Sequence, residues 1–335
     1  MVISAERSFN GFGQPPNVLI RKRLPLDGGN RFIKFFDALN RVQILPSVVK
    51  ELEAWEDAES DNQSVVISVD KRRYVVGQLA ADLGGKPVFE GDKCELAWLL
   101  ALVAIEPNPG QNQILIETMP VALPDSRNKQ AIAAIKKVEG VKDFTRNGVD
   151  IVATVRKVEA CDETRPAFKF AQTKKLFRAP NKINGILDLG GGTGIGRLYS
   201  PNGTMIRTAD TLLPGTYQLA QKIAGALLPQ LGYSPELRLI MDAIADGSFC
   251  YGTTEINFEP IFQKCREQWI GEIRSKLKVA WTTQLSDLGE VLIIGGSATL
   301  AQPLVEATKG RFKIPFHPSV PNFSQLISLY GMGLE

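Results

Sequence analysis

The stretch from Asn184 to Tyr199, NGILDLGGGTGIGRLY, decides how the chain is read. Ile186, Leu187 and Leu189 form a short apolar run around Asp188; Gly190, Gly191 and Gly192 follow, and Thr193 opens a second strand-like run. The pattern is a strand, a tight glycine turn and a return strand. Residues without a Cβ take positive φ at no steric cost and let backbone N–H groups approach an anion, so a phosphate is the natural guest of such a turn. Asp188 would then stand at the strand end beside the phosphates, where a carboxylate holds Mg2+ or its bound water. A bulged hairpin with no ligand uses the same glycines, and this stretch alone leaves both readings open.

The arrangement occurs a second time nearer the N-terminus. At Asp27 the chain reads DGGNRFIKFF: an acid at a strand end, Gly28 and Gly29 in the turn, Asn30, then a return strand bearing Lys34. Two glycine turns facing each other clamp a polyphosphate from both sides, which raises the phosphate reading above the bare hairpin. A third turn follows the strand Val291 to Ile294, where Gly295, Gly296, Ser297 and Ala298 lead into a helix. The backbone of a Gly-Gly pair offers a flat surface for a base or sugar, although one such turn is as weak a signal as a lone GxGxxG.

Composition narrows the classes. A chain of 335 residues is long enough for two domains, and 44% hydrophobic with 22% charged residues is ordinary for a soluble globular protein. A net charge of +3 is too mild to imply nucleic-acid binding, and no basic, aromatic-interleaved patch suggests direct contact with DNA. Cys94, Cys161, Cys250 and Cys265 form no CxxC pair, which argues for a reducing interior and against a disulfide framework or a zinc site. The single histidine, His317, excludes schemes needing two imidazoles and reads as structural. No signal peptide is visible at the start, and the longest apolar run, Leu96 to Ile105, is too short to span a bilayer, so a cytoplasmic protein without a transmembrane segment is expected.

Taken in order, residues 1 to 16 read as a flexible tail, and Asn17 to Leu26 as an extended segment with the basic triplet Arg21, Lys22, Arg23 on a solvated edge. Ile44 to Val49 reads as a strand, Glu51 to Gln63 as a solvated acidic loop, and Val65 to Val69 with Tyr74 to Val76 as a hairpin ending in Gly77. Lys93 to Ile105 is apolar nearly all round and predicts a buried helix. Ile114 to Val121 predicts a strand closed by Pro120 and Pro124, Ser126 to Val138 a helix capped by Ser126, and Val149 to Val158 one half-buried strand. Helices are predicted over Gly215 to Leu228, Pro235 to Ala245, Phe258 to Trp281, Leu300 to Lys309 and Asn322 to Gly331.

The DGGN hairpin with its downstream lysine, the LDLGGGT hairpin and the IIGGSA turn, in this order and separation, resemble the phosphate 1, phosphate 2 and adenosine motifs of the actin-like ATPases. Within that superfamily the size, the ILPS strand, the VVGQLA segment and the ETRP turn look most like the ParM group of bacteria and archaea, filament-forming proteins that segregate plasmids. The resemblance runs from about Val18 to Gly333; the tail and the acidic 51 to 63 loop fall outside it.

The resemblance implies an α/β actin-like (ribonuclease H-like) fold: two α/β domains, each with a mixed sheet and flanking helices, and a nucleotide in the cleft between them. Residues 17–182 with 318–335 would form domain I and 183–317 domain II. It implies that Asp27, Gly28, Gly29, Asn30 and Lys34 serve the first phosphate turn, Gly190, Gly191, Gly192 and Thr193 the second, and Gly295, Gly296 and Ser297 the adenosine. Asp27 and Asp188 would stand near Mg2+, and Glu163, in the E-x-x-P turn, falls on the family's catalytic glutamate. A carboxylate there orients and polarises the attacking water, while metal and backbone dipoles supply most of the rate gain. The implied activity is ATP hydrolysis, with GTP left open, coupled to filament dynamics. The implied partners are further copies of the chain and, in the plasmid group, a separate DNA-binding adaptor.

The same core also serves sugar and acetate kinases, where an acid activates a substrate hydroxyl, and nonpolymerising scaffolds. The chain has little room for a dedicated substrate domain, and it lacks the length of the heat-shock chaperones that share the core.

Overall fold

Residues 18–88 and 93–334 are described by the computed structural model; the expected tail, residues 1 to 16, lies outside them. The chain begins with β1 (Val18–Arg23), β2 (Leu26–Gly28), β3 (Phe32–Phe36), β4 (Val42–Pro46), β5 (Val48–Leu52), β6 (Ser64–Val69) and β7 (Arg72–Gly77). Helix α1 (Gln78–Asp82), β8 (Lys86–Pro87), α2 (Lys93–Ala104), β9 (Gln113–Leu123), α3 (Lys129–Lys136), β10 (Gly140–Arg146), β11 (Val149–Val155) and β12 (Val158–Asp162) complete the first sheet and its helices. Helix α4 (Thr164–Thr173) leads to β13 (Ile183–Leu189), β14 (Thr193–Tyr199) and β15 (Thr211–Pro214). Then come α5 (Thr216–Leu231), α6 (Leu237–Asp246), α7 (Glu259–Ala280), β16 (Leu288–Ile294), α8 (Gln302–Ala307), β17 (Phe312–Lys313) and α9 (Ile327–Gly333).

Strand β9 carries the first sheet because it is long enough to hold two sets of neighbours. Its first half pairs in parallel with β1 and β11, and its second half pairs with β12 and, at Val121, with β2. The strand therefore runs through Pro120 rather than closing there. Pairing with β1 ends at Thr118 and pairing with β12 begins at Met119, so the missing proline N–H falls beside the changeover, where a ladder bond is least missed. Helix α2 fills the space behind the strands as its composition predicts, with Leu99 and Val103, and Ile105 just past its end, wholly buried against Ile33, Ile116 and Ile151.

Several expected boundaries move for identifiable reasons. The segment 149 to 158 is two strands, and β11 is the return arm of a hairpin with β10. Asn147 and Gly148, both at positive φ, form the turn between them, which is the conformation an Asn-Gly pair favours. Helix α3 starts at Lys129 because the Asn128 side chain accepts the amides of Gln130 and Ala131; Ser126 instead donates its amide to Asp162. The acidic loop begins after Leu52, since β5 reaches that residue to pair with β7. The segments at 300 and 322 each open with a 3₁₀ turn before α8 and α9.

The second sheet has the order β15-β14-β13-β16-β17, antiparallel across β15-β14-β13 and parallel across β13-β16-β17. Both faces are covered, as the near-continuous apolar strands require. Leu187, Leu189, Val291 and Ile293 pack on α5 and α7 through Leu219, Ile223, Trp269 and Ile273. The alternate residues Ile186, Leu292 and Ile294 pack on α4 and the C-terminal segment through Phe168, Phe170, Phe323 and Ile327. Helices α4 and α9 lie against each other so closely that a Cβ on Gly331 would collide with the Pro166 carbonyl.

Candidate active site

The three glycine turns converge, and strand register is what brings them together. In the first hairpin Asp27 and Lys34 are cross-strand partners, so the Lys34 ammonium donates to the Asp27 carboxylate at 2.8 Å, both side chains largely buried. In the second sheet β13 and β16 run in parallel with Asp188 opposite Ile294, the residue before Gly295. Parallel pairing puts both strand ends on one edge, so the turn at 190 to 193 and the turn at 295 to 297 are neighbours. The Ser297 amide donates to the Leu189 carbonyl at 3.0 Å, and the Ser297 hydroxyl bonds to that of Thr216.

The second turn is tied down on one side and free on the other. Gly190 donates to the Thr193 carbonyl at 3.0 Å, and the carbonyls of Gly190 and Gly191 accept the amides of Thr216 and Tyr217 at the start of α5. Helix α5 approaches so near that a Cβ on Gly215 would lie 2.7 Å from Gly192 and Thr193. Among the described residues the amides of Gly191 and Gly192 donate to no backbone carbonyl, which leaves the donors an anion needs. Across the gap, Asn30 of the first hairpin fills the place where a Cβ on Gly192 would stand, and Arg31 lies 3.2 Å from that of Gly191. The two hairpins therefore face each other across this gap.

A cavity of about 700 Å³ opens between the sheets at this junction. It is lined by Asp27, Gly29, Asn30 and Lys34 from the first turn, Glu163, Asp188, Gly190, Gly191, Gly192 and Thr193 from the middle, and Gly295, Gly296 and Ser297 from the third turn. Gly28 is the one expected site residue outside the lining: it lies in β2 with its open face toward Leu100. His317 is exposed, and its ring lies tilted against that of Phe323.

Glu163 is held from both ends. It precedes α4, its carbonyl accepts the Ser328 hydroxyl at 2.9 Å, and its amide continues the sheet through the Leu123 carbonyl at 3.0 Å. The neighbouring Asp162 is buried between Arg207, at 2.8 Å, and Arg197, at 3.7 Å, both on the second-sheet side. Burial alone would raise its carboxyl, but hydrogen bonds from the Ser126 amide and Arg207 keep it below the usual range.

Negative charge exceeds positive charge at the centre. Burial, and after it the Glu163 charge, pushes the Asp188 carboxyl up to about 7, with Lys34 opposing the rise. Burial acts to lower the Lys34 ammonium, yet Asp27, Asp188 and Glu163 together hold it above its ordinary value. Arg31, the other cation in the lining, is engaged by Asp242 at 2.6 Å. Three carboxylates against one ammonium have the charge a divalent cation would balance, and Asp27 and Asp188 would be the oxygen donors for it. Among the described residues no group of three or more His, Cys, Asp or Glu forms a metal cage of its own.

No protein-family model matches the chain, and no curated protein matches it in sequence. In three dimensions it superposes on an archaeal actin homolog with a TM-score of 0.75 at 14% identity, over 93% of this chain and 98% of that one. The apo ParM protein of psk41 gives 0.67 at 16% identity, over 94% and 96%. A 15-stranded ParM filament from Clostridium botulinum gives 0.70 at 15% identity, over 94% of this chain and 100% of the other. The fold is actin-like. The archaeal homolog also has a structure in complex with ADP, matched with a TM-score of 0.69 over 92% of this chain at 13% identity.

Within the actin-like fold the cleft has further residues that the sequence pattern passed over. Arg31 crosses from the first hairpin to α6, donating to the Met241 carbonyl at 3.1 Å and to Asp242. Its position directly after DGGN was the available signal. Thr216, Asn322, Ser324 and Gln325 also line the cleft, and they lie outside any glycine motif, which is why periodicity and turn chemistry do not reveal them. Among the described residues no helix is long and apolar enough to cross a membrane.

Proposed function

We propose that the chain is an actin-like ATPase that binds ATP with Mg2+ in the cleft and assembles into filaments whose state changes after hydrolysis. The observation that carries this reading is the meeting of three glycine turns, distant in sequence, around one cavity between two sheets. Asn30, with the amides of Gly191 and Gly192, holds the phosphates, and Gly295, Gly296 and Ser297 lie under the nucleoside. Glu163 orients the attacking water and takes its proton, and Lys34 fixes Asp27 so that both act as a rigid unit. Bound Mg2+ supplies positive charge against that developing on the transferred phosphoryl group. We take residues 17–182 with 318–335 as one domain and 183–317 as the other.

A ligand that touches both lobes biases their relative angle by its unequal affinity for closed and open forms, which couples nucleotide state to assembly. Closed subunits then add head to tail, an open heterologous contact. The ParM filament among the matched structures supports this reading. In a segregation role DNA is reached through a separate adaptor protein in the cytoplasm. Calorimetry with Mg2+ and ATP or GTP tests the first step, and pelleting with a non-hydrolysable analogue tests the second; absence of heat with either nucleotide overturns the proposal at its root. Release of ADP that depends on an added sugar or carboxylic acid would identify a small-molecule kinase instead.

A further inference from the structure

Outside the cleft, two features of opposite charge stand without partners. The first is the loop between β5 and β6. Residues 53 to 61 read EAWEDAESD, five carboxylates with no cation, and Trp55 among them is 79% exposed. The loop has a fixed base: Glu56 pairs with Lys50, Arg73 donates to the Glu56 carbonyl at 3.1 Å, and Ala58 packs on the cluster of Val48, Leu52 and Val75. Glu53, Asp57 and Glu59 make no ion pair among the described residues. An indole held out into water is the kind of side chain that anchors protein interfaces.

The second feature is a groove of about 950 Å³ on the lobe of the second sheet, between the end of α7, the start of β16 and the turn from α8 into β17. Its floor is apolar, with Leu277, Trp281, Leu288 and Phe312 buried and Leu285 at the rim 38% exposed. Its cations are Arg178, Arg274, Lys278, Lys309 and Arg311. The one acid in the lining, Glu290, is occupied by Arg178 at 2.6 Å and Lys313 at 3.0 Å. The other four cations have no ion-pair partner among the described residues. No residue lines both this groove and the nucleotide cleft.

We propose that the acidic loop of one copy docks in the basic groove of a second copy, with Trp55 on the apolar floor and the flanking carboxylates against Arg274, Lys278 and Lys309. Loop and groove belong to different sheets, and no hydrogen bond or ion pair joins them within one chain. Each copy therefore keeps one loop and one groove unsatisfied, so the contact is heterologous and repeats from copy to copy. The proposal rests on the assembly reading above and gives it a surface. Opposed charges at the rim make the contact strongly salt-dependent.

Two variants test it by sedimentation velocity with a non-hydrolysable ATP analogue and Mg2+. The loop variant carries W55A, E53Q, D57N and E59Q; the groove variant carries R274Q, K278Q and K309Q. All sites are on the surface, and each variant alone should remain monomeric. Their mixture should give a complex of two copies, one intact loop in one intact groove, weakened at least tenfold between low and high salt. No complex in the mixture, or variants that pellet at the wild-type critical concentration, overturns the docking surface while leaving assembly standing if wild type pellets. A paired complex in the mixture with no wild-type pellet keeps the loop-in-groove pairing but overturns its repetition from copy to copy and, with it, nucleotide-driven filaments.

Discussion

The carboxylate of Asp188 stands against Gly295, in the space that a Cβ on residue 295 would occupy. Residue 295 also has φ of +93°, in the left-handed half where only glycine is unstrained. Gly295→Ala therefore meets two costs, backbone strain of about 1–3 kcal/mol and displacement of the carboxylate. The expected outcome is a lower melting temperature, by roughly 2–4 °C per kcal/mol, together with a loss of nucleotide affinity larger than the stability change accounts for. Thermal denaturation and calorimetry on the same preparation check it.

Asp188 also sets a pH dependence. Burial first and Glu163 second raise its carboxyl from 3.8 to about 7 in the folded protein. A proton held more tightly in the folded than in the unfolded state favours folding at low pH, so this contribution is complete below about pH 4 and is lost as pH rises through about 7. The shift bounds the effect at about 4 kcal/mol, and water in the cleft reduces it. The ligand-free protein should lose stability between about pH 4 and 7, and Asp188→Asn should flatten that slope and be the more stable form at pH 8. Melting curves across the range decide it; an unchanged slope in the variant rejects the assignment.

The glycine turns were legible because a Gly-Gly pair at a strand end has few structural uses, and the order of three such turns carried the fold. Their convergence was not written in any of them: it depends on β13 pairing in parallel with β16, a contact between segments about a hundred positions apart. The Asn147-Gly148 turn was legible and would have separated β10 from β11, whereas no turn residue marks the break between β11 and β12 at 156 to 157. Pro120 misled because a proline inside a strand reads as its end, and only the change of neighbours along β9 shows why it is tolerated. Arg31 and Asp242 are 211 positions apart, so no local pattern relates them.

Glu163 lies beside the cavity with its backbone fixed by Ser328 and Leu123. Glu163→Gln keeps the shape and removes the base, so ATP turnover should fall by about 10²–10⁴-fold while nucleotide affinity stays within a few-fold. The same change removes one of the charges that raise Asp188, and the stability slope described above should move to lower pH. Turnover and melting curves measured together separate this from misfolding, which would lower stability at every pH.

Arg31 links the lobes before any ligand arrives, through Met241 and Asp242 on α6. Both side chains are partly exposed, at 24% and 47%, so the pair contributes modestly, about 0.5–1 kcal/mol. Because that contribution exists only when the lobes are near each other, removing it shifts the opening equilibrium rather than the stability of either lobe. Arg31→Ala and Asp242→Asn should each enlarge the ligand-free particle in solution scattering and weaken nucleotide binding by about 2–5-fold. The double variant should weaken it no more than Arg31→Ala alone, since that change already removes the bonds to both Met241 and Asp242. Additive losses would mean that Arg31 acts on the phosphates directly and that the ion pair is incidental.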